Sequence, residues 1–307
     1  MALPTSLGVV GHYNLLERLE PAGPGELYRA RDTRAGRTVT IRLLPPDYAP
    51  DEASRASVLE VARGLVGLSH PNVITLFEAG EHDGRVYLAF EYLKGQSLRA
   101  EMGGRPMNVR RAAEVAIQIA DAVADAHAAG FIHGGLSPDT IVITAKGNTK
   151  IPAFELAARG GFVHRSEDPA DVRLHDYDSP EEARGQPADE RSDIYSVGAV
   201  LFEMLTTRRP SHRGAAAPSA TNAHVPPDLD DIVLKAVAPN PDSRYQSAVT
   251  LAAELRSLIA ILDVRGGAGD EDDAQHVPST NLGRIMLIAL VMLLIIGGLI
   301  WWFGSSD

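Results

Sequence analysis

Ile132-His133-Gly134-Gly135-Leu136-Ser137-Pro138-Asp139-Thr140, followed by the apolar run Ile141-Val142-Ile143, decides how the rest of the chain is read. The nine residues form a loop and the run after them a short strand. Gly135, at the loop's centre, has no side chain with which to accept a proton. Before the loop, Ala112, Ala116, Ile119, Ala120, Val123 and His127 recur at three- and four-residue spacing, which predicts a helix that Gly130 stops. His127 reads as a helix-face residue, with no acidic or histidine partner at metal spacing. After the loop come a strand over Ile141 to Thr144, the turn Lys146-Gly147-Asn148, and Lys150-Ile151-Pro152-Ala153-Phe154-Glu155-Leu156-Ala157.

Nearer the N-terminus, Tyr13 to Leu19 reads as a strand and Glu26 to Asp32 as its hairpin partner, joined through Glu20-Pro21-Ala22-Gly23-Pro24-Gly25. Proline has no backbone N–H, so Pro21 and Pro24 remove two donors from that turn. Arg37 to Leu44 is a third strand. A helix is expected from the N-cap Asp51 to Leu68, weakened by Gly64 and Gly67 at roughly 0.5–1 kcal/mol each. Val73 to Glu81 and Arg85 to Tyr92 pair around the turn His82-Asp83-Gly84. Further helices are expected over Asp228 to Ala238 and Ser247 to Ile261.

These segments, taken together, resemble the protein kinases, and within them the bacterial Hanks-type Ser/Thr kinases, from about Tyr13 to Ile261. The opening loop is similar to H-R-D-L-K-P-x-N, with His133, Leu136 and Pro138 in place. Lys150 to Ala157 is similar to K-I-x-D-F-G-L-A, Ser179-Pro180-Glu181 to A-P-E, and Arg191 to Leu205 to the family's central helix. The resemblance implies an α+β fold of two lobes, a β-rich N-lobe with one helix (about 13–93) and a helical C-lobe (about 94–262). It also implies a structural frame: Leu65, Leu76, His133 and Phe154 at internal spine positions, Asp193 bonding the loop backbone, and Glu181 paired with Arg244.

At the family's chemical positions the chain departs. The catalytic Asp falls on Gly135, the loop Lys on Ser137 and the magnesium-binding Asn on Thr140. The second magnesium ligand falls on Ala153, with Glu155 one pace off the metal-facing position. The phosphate Lys falls on Arg42, whose planar fork is no substitute for a compact ammonium. The helix glutamate falls on Val61, with Glu60 about 100° round. Nucleotide-contact positions fall on Gly25, Thr40, Arg42, Val61, Phe90, Glu91, Val142 and Ala153, and of the phosphate-loop glycines only Gly25 survives. The activation-loop segment, Leu156 to Asp178, contains no threonine and one serine, Ser166.

The resemblance with these departures implies an inactive kinase-like protein that binds an active kinase or its substrate, with no metal expected and weak metal-free ATP binding left open. Two alternatives remain at the level of sequence. One is an active kinase with displaced residues, for which Asp139 is the nearest carboxylate. The other is a passive membrane adaptor.

Composition sets the outer limits. The chain has 307 residues, a net charge of −11 and no cysteine. With no basic stripe, the acidic balance argues against nucleic acid, and the absence of cysteine excludes disulfides and thiolate metal sites. Ile285 to Phe303 carries no charge and is long enough to span a hydrocarbon core of about 30 Å. Arg284 on one side and Trp301-Trp302 on the other orient it with the kinase-like domain in the cytoplasm. Residues 1–12 are expected as a tail, 263–284 as a flexible acidic linker, 285–303 as the span and 304–307 as an extracytoplasmic tail.

Overall fold

The computed structural model describes residues 7–20, 25–152 and 175–274. The chain divides into two units, Met1–Ile259 and Ala260–Asp307. In the first unit, six strands form one antiparallel sheet: β1 (Gly8–Val10), β2 (Tyr13–Leu19), β3 (Glu26–Asp32), β4 (Thr38–Leu43), β5 (Leu76–His82) and β6 (Arg85–Glu91). Their order is β1-β2-β3-β4-β6-β5. Alternation builds the core: Val39, Ile41 and Leu43 on β4 turn inward with Tyr13, Leu15, Ala30, Tyr87 and Ala89. The β5–β6 turn places Asp83 and Gly84 at φ of 49° and 72°, the left-handed pair that a two-residue hairpin requires.

Helix α1 (Glu52–Leu65) starts on a capping box, with the Asp51 carboxylate accepting from the Ser54 N–H at 2.7 Å. The C-lobe contains α2 (Leu98–Met102), α3 (Val109–Ala128), α4 (Glu190–Thr206), α5 (Pro227–Ala236) and the start of α6 (Ala248–Ala274). A small sheet of β7 (Gly95–Ser97), β8 (Val142–Thr144) and β9 (Thr149–Lys150) lies beside α3. From Ser192 to Thr206 every residue of α4 is buried, so α4 is the axis around which the lobe packs. The two-lobed expectation is met.

The largest departures from the sequence reading are at the ends of elements. The supposed tail contains β1, whose Gly8, Val9 and Val10 pair with Leu15, Asn14 and Tyr13; three residues are too few to give a periodic signal. α1 stops at Leu65, not Leu68, ahead of the glycine at 67. β5 begins at Leu76 because Ile74 and Asn72 are committed to Ile151: Ile74 N donates to Ile151 O and Ile151 N to Asn72 O, both at 2.8 Å. Residues 263–274, expected as flexible linker, are helical as the continuation of α6. Extending an existing helix costs less than nucleating one, so it can run on through glycines. The expected span 285–303 and tail 304–307 lie outside the described residues; among the described residues no helix is long and apolar enough to cross a membrane.

The frame pair is present in full. Arg244 Nη1 and Nη2 donate to Glu181 Oε1 and Oε2 at 2.6 and 2.8 Å. Its other N–H groups reach the carbonyls of Ala238, Arg191 and Pro239, so the whole guanidinium is satisfied. Burial pushes the Glu181 carboxyl up, but Arg244 overrides it and holds the group down at about 2. Arg244→Ala would leave a carboxylate buried without its partner, a loss of about 3–5 kcal/mol. At roughly 2–4 °C per kcal/mol the melting temperature should fall by about 6–20 °C. Differential scanning calorimetry checks this, and a shift within error would contradict the role given to the pair.

Candidate active site

The loop after α3 is held from behind by one carboxylate. Asp193, in the first turn of α4, accepts the backbone N–H of His133 at 2.8 Å and that of Gly134 at 2.9 Å. It also accepts His127 Nε2 at 2.7 Å. The backbone bonds agree with the sequence reading, which leaves His127 without a partner. Sixty-six residues separate His127 from Asp193, and no local spacing signals such a contact. His133 is wholly buried, and burial pushes its pKa down to about 4 against the pull of Asp193, so the ring is neutral at physiological pH. Leu65 and Leu76 are buried as the frame requires; Phe154 lies outside the described residues.

In front of this support the loop closes on itself. Ser137 and Thr140 are both buried. Thr140 Oγ1 donates to the Ser137 carbonyl at 3.1 Å and lies 3.4 Å from both the Ser137 N–H and the Ser137 hydroxyl. Gly135 is buried and offers only backbone. Asp139, the nearest acid, is engaged elsewhere: Arg99 on α2 donates to its Oδ2 from Nη2 at 3.1 Å. The same guanidinium bonds Glu203 on α4 and the Tyr177 hydroxyl, and Tyr177 in turn bonds Glu203. Burial pushes the Tyr177 hydroxyl above its ordinary range, and the hydrogen bond to Glu203 adds to this, so it stays a donor. This four-membered cluster is not visible in the sequence, since its members come from four separate segments.

Thr40 and Arg42 stand on the face of β4 opposite the packed core, and their cross-strand partners are Phe90 and Leu88. Val61 is half-buried on α1 and Glu60 is exposed, so Glu60 does not replace it. Glu91 is occupied: its Oε1 accepts the Thr75 N–H at 2.9 Å and Lys150 Nζ at 2.5 Å. Gly25 is glycine for a packing reason. At φ 90°, a Cβ there would sit 2.3 Å from the Leu43 carbonyl oxygen. Val142 is half-buried on β8. Ala153, Glu155, Ser166, Pro21 and Pro24 lie outside the described residues.

The protein kinase domain family matches residues 15–260. The chain belongs to the protein kinase family. Its curated relatives are bacterial Ser/Thr kinases, which places it with the Hanks-type branch. PknB of Mycolicibacterium smegmatis is 34% identical over 300 residues, 90% of this chain and 46% of PknB. PrkC of Bacillus subtilis is 32% identical over 263 residues, 81% of this chain and 41% of PrkC. A probable serine/threonine-protein kinase of Streptomyces coelicolor is 32% identical, covering 84% of this chain and 41% of its own. The chain therefore spans less than half the length of these relatives. Among solved structures, the kinase domain of Mycobacterium tuberculosis PknI shares the fold, with a TM-score of 0.68 at 22% identity over 84% of this chain and 99% of that one.

Among the described residues, the family's magnesium position on the loop offers no carboxylate, and magnesium takes oxygen ligands that usually include one or two carboxylates. Thr140 supplies a neutral hydroxyl already bonded within the loop, and position 153 is alanine. Among the described residues no three His, Asp or Glu side chains converge as a metal site.

Glu182, next to the frame glutamate, has a carboxyl displaced towards neutrality. Burial pushes its carboxyl up to about 7, with Asp178 and Asp193 adding to the effect, although Oε2 accepts the Ser179 N–H and hydroxyl at 2.9 and 2.7 Å. A raised carboxyl stabilises the fold below its unfolded value of about 4.5 and loses that contribution as pH rises through 7. Glu182→Gln should therefore melt progressively above wild type as pH rises from about 4.5 to 7, reaching about 2 kcal/mol given the group's partial exposure. A pH-independent difference between the two melting curves would contradict this.

Proposed function

We propose that this protein is a membrane-anchored pseudokinase, acting by binding another protein as a scaffold or regulator in a Ser/Thr kinase signalling system. The observation that carries this reading is the catalytic loop, which keeps its support on Asp193 while Gly135, Ser137 and Thr140 present no carboxylate for proton or metal chemistry. Phosphoryl transfer rests on positioning and charge neutralisation, so losing both metal ligands removes more than the base does. Ile285 to Phe303 would anchor the chain, with Arg284 keeping the kinase domain in the cytoplasm. The partner would be an active kinase or its substrate.

The second reading, an active kinase with displaced residues, draws support from the relatives, each named as a Ser/Thr kinase. Asp139 would have to serve as its base, and the Arg99 fork occupies that carboxylate.

The readings separate on nucleotide. The pseudokinase reading expects the whole chain to gain no magnesium-dependent thermal stabilisation from ATP. The variant Gly135→Asp, Thr140→Asn, Ala153→Asp, Arg42→Lys and Val61→Glu restores the family's groups and should gain it. At 100 times the dissociation constant that gain is about 2.7 kcal/mol. Wild-type protein that binds Mg-ATP and phosphorylates a protein substrate, with activity lost in Asp139→Ala, would establish the second reading. Topology has its own test: protease added to intact cells should leave the kinase domain whole, and its digestion without lysis would overturn the orientation.

A further inference from the structure

The chain carries a net charge of −11, yet the six residues Arg208-Arg209-Pro210-Ser211-His212-Arg213 contain three arginines, a histidine and no acid. This run leaves α4 through Thr207, whose φ of 62° turns the backbone sharply and ends the helix. Arg208, Arg209, His212 and Arg213 are consequently exposed. The turn is fixed at both ends. The Arg208 N–H donates to Thr206 Oγ1 at 3.2 Å and the Arg213 N–H to Ser211 Oγ at 3.2 Å. His212 Nε2 donates to the Asp178 carbonyl at 3.0 Å, and its ring meets Tyr195 edge-on at 5.9 Å.

Between this turn and Asp176 lies an open cleft of about 380 Å³, lined by Asp176, Arg209, Pro210, Ser211, His212 and Arg213. Asp176 pairs with Arg209. Arg208 and Arg213 have no ion-pair partner among the described residues. His212 aside, the lining holds two arginines against one aspartate.

We propose that this cleft docks an acidic segment of a protein partner, with Arg213 and Arg208 pairing its carboxylates beside the Arg209–Asp176 pair. This deepens the binding reading above and rests on it. Three features favour that occupant. An arginine fork takes a carboxylate through two parallel N–H bonds. The backbone of the turn is already ordered, so little backbone freedom is lost on docking. Nucleic acid is disfavoured because a long polyanion would extend from this small basic patch across a surface of opposite overall sign to the one it needs. Asp176 of the lining directly precedes Tyr177, whose hydroxyl is bound by Arg99 and Glu203.

The test uses the whole chain and a fluorescent twelve-residue peptide carrying six glutamates and no Ser, Thr or Tyr. The matched glutamine peptide and a single-stranded oligonucleotide of equal length serve as competitors. Because the probe has no phosphorylatable hydroxyl, its binding is independent of whether the kinase domain transfers phosphate. The expected result is salt-sensitive binding that the glutamine peptide and oligonucleotide do not compete. Arg208→Glu with Arg213→Glu should weaken it roughly tenfold or more, and the exposed Arg63→Glu on α1 should leave it unchanged. Arg213→Gln alone provides a milder variant, expected to weaken binding by a smaller factor, and circular dichroism confirms that each variant is folded. Equal affinity for the glutamine peptide, unchanged affinity in folded cleft variants, or full competition by the oligonucleotide would each overturn the proposal.

Discussion

Asp193 is the constraint on which the C-lobe depends. It occupies the start of a helix that is buried from Ser192 onward, and it is itself 1% exposed. A carboxylate in that position is tolerable because its two oxygens accept three donors, two of them backbone N–H groups of the loop in front. The dependence is mutual. Without Asp193 the His133 and Gly134 amides would be buried and unpaired, at about 1–3 kcal/mol each. Without the loop, only His127 would face the charge.

A second polar knot, Arg244 with Glu181, repeats this logic beside the same end of α4. There the Ser192 hydroxyl donates to Glu181 at 2.9 Å, and Ser192 also closes the helix's own capping box with Asp189. The central helix is thus joined at its start to the catalytic loop, to the segment around Glu181 and to the turn before α6. None of these joints uses a position at which the family contacts nucleotide. The frame and the chemistry of a kinase domain are physically separable: among the described residues the joints of the first are made, while the sequence positions of the second carry groups of other kinds.

Legibility in the sequence follows the same division. Frame residues such as His133, Asp193, Glu181 and Arg244 sit in ordered motifs, and the motifs alone are enough to pair them. Partnerships that depend on where separate segments meet leave no such mark. His127 finds Asp193 across 66 positions and Asp139 finds Arg99 across 40, with no periodicity linking either pair. Gly25 matches a phosphate-loop glycine by position, but the reason it must be glycine is the approach of the Leu43 carbonyl. β1 is too short to register, and the reach of α6 to Ala274 runs against glycine's poor helix propensity.

The closure of Ser137 on Thr140 bears on how such a domain can carry information. A loop whose hydroxyls and amides answer one another has no vacancy that a small molecule must fill before it becomes ordered. On the pseudokinase reading proposed above, its shape would be the same whether the cell is rich or poor in adenylate energy. A partner reading that surface would receive a constant message, and any variation in the signal would have to come from how many copies are present and where they are held.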